Sequence, residues 1–501
     1  MIDLLLTEGT VVTMDQKRRI IEDGAVAVDQ GKILFVGSSK EAEVKFPEVR
    51  KTINCRNHAV MPGFVDVHGH GGHALIRGAI FDTSNWMAAV TQLYNHYVTD
   101  DYWYYEGRVS ALDHLRAGIT TSVCIIGAQQ RCDDPVFSIN HAKGYSETGL
   151  REVVCTGPSQ PPWPHKFSRI IDGKRVLMEV SYEQVIESME TVIRELNHSC
   201  NDRIRAFVSP FGLLPSTNSS FPTEADVMWA GPTEFDLHQL KEMWRIADKY
   251  DTRIHAEAYG GSIYQMHKAG KLALLGPRVH LQHTSGCSFD ELQILADTGT
   301  HVGVTFQPST MLIPMLWMGV KTAIGTDGPK LLGNADMFQS MRMTQNKHKD
   351  ELTFSTNFMF NLPSDRLLEM TTIDAAEVIG WEDDIGSLEI GKKADIITVN
   401  LMNPRMTPRF NIIDTMVMLG NGNDVDNVFV DGVHLLENGK VLSVDEEKVL
   451  MEGDKVARES LERIGYQNFI DGKEHFWGKV RRYDSRPKFD LEWQRKDGGY
   501  Y

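Results

Sequence analysis

The sequence predicts an α/β protein: a TIM-like (β/α)8 barrel joined to a small composite β-sandwich built from both chain ends. Two patterns carry this reading. Between about residues 61 and 385, short apolar runs alternate with helical stretches, the order that makes a parallel sheet wrapped by helices. On either side of that middle lie β-rich segments, each too small to bury a core alone. A length of 501 residues suits a barrel with insertions.

The first flank, residues 1–60, holds apolar runs at 4–6, 10–14, 25–28 and 33–36, with turns expected at Asp23-Gly24 and Gln30-Gly31. The barrel strands are expected at 59–67, 120–126, 152–155, 204–208, 253–255, 279–283, 302–306 and 322–325. Helical periodicity is clearest at 182–197 and 234–248. The barrel spans 61–385. The second flank, 386–442, carries strands at 394–399 and 428–434, with a turn at Asp431-Gly432. The last segment, 443–501, opens on Ser443 and Glu446, spaced as a capping box for a helix running to about residue 464. Beyond it, Tyr466, Phe469, Phe476, Trp477, Tyr483, Phe489 and Trp493 stand among charges. They predict packing on the barrel or on a second subunit, and hence a homo-oligomer, dimer or higher.

Charge and composition exclude several classes. Lys and Arg number 52 and Asp and Glu 68, a net charge of −16 with no basic cluster, so nucleic acid is not an expected partner. No run of 18 apolar residues is present, so no membrane span is expected. The start, Met1-Ile2-Asp3-Leu4-Leu5-Leu6-Thr7-Glu8, lacks the basic and long apolar regions of a signal peptide. The six cysteines are scattered without a CxxC pair and read as reduced thiols of a cytoplasmic protein.

The strongest chemical signal is Pro62-Gly63-Phe64-Val65-Asp66-Val67-His68-Gly69-His70. His68 and His70 lie two apart at the end of a strand, so both rings face one side. Two convergent neutral imidazoles suit zinc, iron or nickel. Asp327, in Ile324-Gly325-Thr326-Asp327-Gly328, ends the eighth strand, where active sites of this fold lie. His255 ends the fifth strand and His283 the sixth. Alone, each has an ordinary structural use: a paired core histidine, or the turn that Asp-Gly favours. Four strand ends delivering them to one mouth point to a metal-assisted active site.

At these residues the chain resembles the amidohydrolase superfamily, over roughly 1–440. The stretch Ile385-Gly386-Ser387-Leu388-Glu389-Ile390-Gly391-Lys392-Lys393-Ala394-Asp395 looks like that family's return to the sandwich. Arg77-Gly78 and Trp86 after His70 are similar to the branch of triazine hydrolases and guanine and adenosine-analogue deaminases, a broad group that includes phenylurea and thiocarbamate hydrolases, and Ser288, Glu291 and Leu292 after His283 resemble the family's pattern after its sixth-strand histidine. The resemblance implies that His68, His70, His255 and Asp327 hold one divalent metal ion per chain, Zn2+ first, with Fe2+, Mn2+ or Co2+ as alternatives. Asp327 would also take the proton of the activated water, and His283 would orient that water or polarise the substrate. Binuclear branches bridge two ions with a Lys or Glu of the fourth strand; here it ends Val208-Ser209-Pro210, so one ion is expected.

One departure bears on the reaction. The deaminase branch carries a proton-shuttling Glu three residues after the fifth-strand His; here that place is Ala258, and Glu257 lies at +2. On a regular strand Glu257 faces the same side as His255, about 6.6 Å further along. It either reaches the substrate with altered geometry or pairs with a cation at the rim. The expected activity is hydrolysis of a non-peptide C–N bond of amide, urea or carbamate type in a small neutral or aromatic molecule, by a metal-activated hydroxide. The alternative is deamination, or loss of another leaving group, on a purine-, pyrimidine- or triazine-like ring. A non-catalytic scaffold is the remote third. His73, Trp86, Gln307 and Asn334 are candidate substrate contacts; Trp163, Trp317, Met311, Met315, Met318, Lys330 and Asp336 are weaker ones, and Asp336 equally suits a helix cap.

Overall fold

The computed structural model describes residues 1–80, 86–128, 131–214, 231–306, 311–328, 335–356 and 362–465. Eight strands, β1 (Phe64–Gly71), β2 (Ile119–Ile126), β3 (Arg151–Thr156), β4 (Ile204–Val208), β5 (Ile254–Tyr259), β6 (Val279–Ser285), β7 (His301–Val304) and β8 (Thr322–Ile324), pair in sequence order. Every pairing is parallel. The barrel thus forms as expected, and it is nearly closed. Between β1 and β8 the link is the single bridge Gly69–Asp327, where the Asp327 N–H donates to the His68 carbonyl at 2.8 Å.

Strand alternation sorts the side chains. Val65, Val67, Val123, Ile125, Val153, Cys155, Phe207 and Ala323 fill the interior, and Trp381 with the helix Ile373–Ile379 closes it from below. Outward residues meet the helices. Two of these, α1 (Tyr102–Arg116) and α2 (Val136–Ser146), touch backbone to backbone. A Cβ on Gly107 would lie 2.3 Å from the His141 carbonyl oxygen, and one on Gly144 would lie 2.1 Å from that of Tyr104. Only glycine permits that approach.

Both chain ends share one nine-stranded sheet, in which His58–Pro62 pairs parallel with Ile2–Val12 and antiparallel with Ile396–Asn400. Leu4, Leu6, Val28 and Ile33 bury their side chains with Leu388, Ile396 and Phe429 of the far flank, so one face of the sheet has a core built from both flanks. Arg151, with a fully buried guanidinium, ties barrel to sheet by donating from Nε to Asp395 at 2.7 Å and by pairing with Asp431.

Three local expectations are corrected. The apolar run 59–67 is two strands, divided at Gly63, where a Cβ would meet the Thr120 side chain at 2.2 Å. The last helix, Glu446–Ile464, is capped by Asp445, whose side chain accepts the Lys448 N–H at 3.1 Å; Ser443 makes no such bond. The hairpin His165–Ile171/Lys174–Val180 after β3 was not foreseen. The helices read at 182–197 and 234–248 are Tyr182–Leu196 and Glu234–Lys249, opened by capping boxes at Ser181/Gln184 and Thr233/Asp236. The aromatic segment from Tyr466 onward lies outside the described residues. Among the described residues no helix is long and apolar enough to cross a membrane.

Replacing Asp395 by Ala leaves the buried Arg151 guanidinium one carboxylate, Asp431, and the Asp202 carbonyl. Removing one member of such a pair costs about 3–5 kcal/mol. Urea unfolding should show that loss as a lower midpoint at unchanged slope.

Candidate active site

The mouth of the barrel is assembled around the seam between β1 and β8. The Asp66 carboxylate accepts the His68 N–H at 3.1 Å and the Thr326 N–H and hydroxyl at 3.0 and 2.5 Å. Burial pushes its pKa up to about 7 against the pull of those bonds. With both strand ends pinned, His68 and His70 project to one side, their ring centroids 5.0 Å apart. Asp327 takes a left-handed backbone, φ 62°, and its Oδ1 lies 3.7 Å from His68 Nε2 and 3.5 Å from His70 Nε2. His255 comes from β5, its Nε2 3.3 Å from His68 Nδ1 and its Nδ1 3.2 Å from the Ser209 hydroxyl.

The His68 and His255 imidazoles are in the form a cation needs. Burial, with the neighbouring His70, His283 and His255, holds His68 well below the usual histidine range. Burial and the same kind of neighbours push His255 down to about 3. His70 Nδ1 donates to the Gly127 carbonyl at 2.9 Å, which turns Nε2 toward the site. His68 Nε2 is buried and has no hydrogen-bond partner. One nitrogen each from His68 and His70 and one oxygen of Asp327 lie within 4.8 Å of one another, as do atoms of His68, Glu257 and His283. Convergent neutral nitrogens, an orphaned buried acceptor and a carboxylate are the donor set of a divalent cation.

β6 ends in an irregularity. His283 and Thr284 both have left-handed backbones, φ 72° and 53°, and the β5–β6 register slips between Ala258 and Tyr259. The slip lays the Tyr259 ring on the His283 ring, 5.6 Å apart and 18° from parallel. The Tyr259 hydroxyl donates to Glu257 Oε2 at 3.1 Å, and Glu257 Oε1 lies 3.7 Å from His70 Nε2. β5 continues past its expected end to Tyr259, which brings Glu257 into the site.

His73 is buried in the turn His73–Leu75, stacked on His70 at 5.5 Å, its Nδ1 2.7 Å from the Tyr94 hydroxyl. Trp86 opens the helix Trp86–His96. The Trp86 side chain, Gln307, Lys330 and Asn334 lie outside the described residues. Asp336 is a cap: it accepts the Gln339 N–H at 3.1 Å and the Gly422 N–H at 3.0 Å. Met315 is core, Met311 and Met318 pack against it, Trp163 packs on His165 and Tyr182, and Trp317 is exposed. Asp66, Thr326 and Tyr259 were missed as supports of the site. Asp66 stands inside the motif, but its partner is 260 residues away.

A barrel with this donor set at its mouth is the frame of a metal-dependent hydrolase. Residues 59–435 match the amidohydrolase family, and the chain belongs to it. It is a hydrolase of carbon–nitrogen bonds other than peptide bonds, in a metal-dependent family. The chain is 27% identical to a 5'-deoxyadenosine deaminase of Methanosarcina barkeri, over 93% of this chain and 100% of that protein. It is 26% identical to a 5-methylthioadenosine/S-adenosylhomocysteine deaminase of Syntrophobacter fumaroxidans, over 91% and 98%. The fold is shared with an adenosine deaminase from Xanthomonas campestris with bound zinc, with a TM-score of 0.74 at 19% identity over 92% and 99% of the chains. It is also shared with an atrazine chlorohydrolase from Arthrobacter aurescens complexed with zinc, with a TM-score of 0.73 at 18% identity over 91% and 100%.

The Asp66→Asn variant leaves one seam donor without an acceptor. Disturbing such a supporting bond weakens metal affinity about 10–100-fold. Competition against a chelator of known affinity measures this, with circular dichroism confirming the retained fold.

Proposed function

We propose that this enzyme is an aminohydrolase of a nitrogen-heterocyclic ring, with the adenine of a 5'-substituted nucleoside as its substrate class. The observation that carries this reading is the place of Glu257. Preference for an amide, urea or carbamate carbon rested on the displacement of the proton-shuttling acid. Glu257 stands 3.7 Å from His70 Nε2 all the same, steadied by the Tyr259 hydroxyl. The deaminase names of relatives spanning over nine-tenths of the chain support the ring reading.

His68, His70, His255 and Asp327 would hold a single divalent ion, Zn2+ first, with Fe2+, Mn2+ or Co2+ as alternatives. β4 ends in Val208 and Ser209, with no carboxylate or lysine to share a second ion there. A bound divalent cation supplies Lewis acidity and lowers the pKa of water toward about 7. Asp327 accepts the proton that water loses as its oxygen adds to the ring carbon. Glu257 carries a proton to the amine, which leaves as ammonia. His283, its ring fixed by Tyr259, polarises the carbon under attack. His73, Trp86, Gln307 and Asn334 remain the proposed substrate contacts. All six cysteines are free thiols, which supports a reducing, cytoplasmic setting.

Zinc-loaded protein offered 5'-deoxyadenosine and methylthioadenosine should release ammonia with the absorbance change from an adenine to a hypoxanthine ring. The Glu257→Gln variant should keep its zinc and lose about 10²–10⁴ in kcat, the usual share of a positioned acid or base. Amine release from phenylureas or carbamates, with no ammonia from nucleosides, would return the assignment to an amide-type carbon. Metal-free, folded and inactive protein would make it a scaffold. The homo-oligomer is checked by the solution mass of a chain ending at Gly465, which should fall below the assembly of the full chain.

A further inference from the structure

On the outer face of the barrel a second group of metal-ligating side chains is buried, away from the mouth. Cys124 alternates outward from β2, between the inward Val123 and Ile125. Glu152, second residue of β3, faces the same outer side. His141 comes from α2 and Glu106 from α1, the helices whose glycines bring them into backbone contact. The Glu106, His141 and Glu152 side chains are fully buried, and Cys124 is 7% exposed. His141 Nε2 lies 3.4 Å from Cys124 Sγ and 2.7 Å from Glu152 Oε1, and its Nδ1 faces Glu106 Oε2 at 2.8 Å.

We propose that Cys124, His141 and Glu152 form a second, structural divalent-metal site, with Glu106 orienting the His141 ring from behind. The three donor atoms lie within 4.8 Å of one another. Zinc bonds of about 2.3 Å to sulfur and about 2.0–2.1 Å to nitrogen set tetrahedral S and N ligands roughly 3.5 Å apart, close to the spacing already present. The Nε2–Oε1 pair has to open by roughly 0.7 Å to admit the ion. A carboxylate on the remaining nitrogen is the usual partner of a metal-bound histidine.

Two further observations point to a ligand. Glu152 Oε2 is buried with no hydrogen-bond partner, a costly state that an ion relieves. Cys124 and Glu152 also line a small cavity whose other side is formed by His70, Thr326 and Asp327 of the mouth, and a Cβ at position 71 would stand 3.2 Å from both Cys124 Sγ and the His141 ring.

The mixed S, N, O donor set suits zinc.

The ligand set proposed at the mouth contains no cysteine, so sulfur coordination reports on this site alone. Full-length protein isolated with zinc should show a zinc–sulfur path at about 2.3 Å in X-ray absorption. Cobalt-exchanged protein should show a thiolate-to-cobalt charge-transfer band. The Cys124→Ser variant should lose both signals and one equivalent of metal while keeping the ion of the mouth. The His68→Ala/Asp327→Asn variant should do the reverse, so failure of the mouth assignment is read separately. Absence of both sulfur signals from the unsubstituted protein in excess metal would overturn the proposal, whether or not the variants fold. Persistence of the band in Cys124→Ser would overturn it too.

Discussion

The barrel is held shut by one carboxylate. Among the described residues β1 and β8 share a single backbone bridge in place of a ladder, and Asp66 supplies what the ladder would have, with two hydrogen bonds across the seam from the Thr326 N–H and hydroxyl. The site geometry follows from that closure. Fixing Thr326 leaves the next residue one way to return toward His68: a left-handed turn at Asp327, φ 62°. Such a backbone costs a non-glycine residue about 1–3 kcal/mol. The Asp327 N–H to the His68 carbonyl, at 2.8 Å, offsets part of that cost. Gly325 belongs to the same constraint, since a Cβ there would lie 2.8 Å from that of His68.

The position of Glu257 has a geometric reason. Side chains on a strand alternate, so a residue two past His255 shares its face, and one three past does not. A glutamate at +3 reaches the mouth only where the strand breaks its regularity after the histidine. Here the chain stays regular through Ala258, and the slip comes after it. The irregularity is used for Tyr259 instead, which lands on His283 and holds Glu257.

Much of this was legible in the sequence. Alternation of strand and helix gave the barrel, and period-2 spacing put His68 and His70 on one face. What escaped depended on contacts distant along the chain. The break at Gly63 is invisible in a continuous apolar run; it exists because Thr120 occupies the space a side chain would need. Ser443 and Glu446 have the right spacing for a cap, but Asp445 lies nearer the first turn and wins the N–H of Lys448. The end of the fifth strand was placed too early because Ala256-Glu257-Ala258 has no apolar signal of its own. Its pairing with β6 extends it. The support from Asp66 and Tyr259 could not be read, since it needs a register slip and a partner 260 residues away.

The same alternation that aims β1 and β5 into the mouth sends Cys124 and Glu152 the other way, under α1 and α2. The two groups meet at the end of β1. His70 faces the mouth, and the next residue, Gly71, lies against Cys124 and His141. Adding a Cβ to Gly71 would press on the outer group and displace the backbone that carries His70. The outer group therefore sets how far β1 can shift, whatever ion or proton it holds. Its fully buried charges resist rearrangement more than an apolar contact would, because opening the group would leave a carboxylate unpaired away from water. A site that needs His70 Nε2 held at a fixed distance from Asp327 gains from a rigid neighbour on the far side of the strand. The close glycine contacts of α1 and α2 keep that neighbour in place.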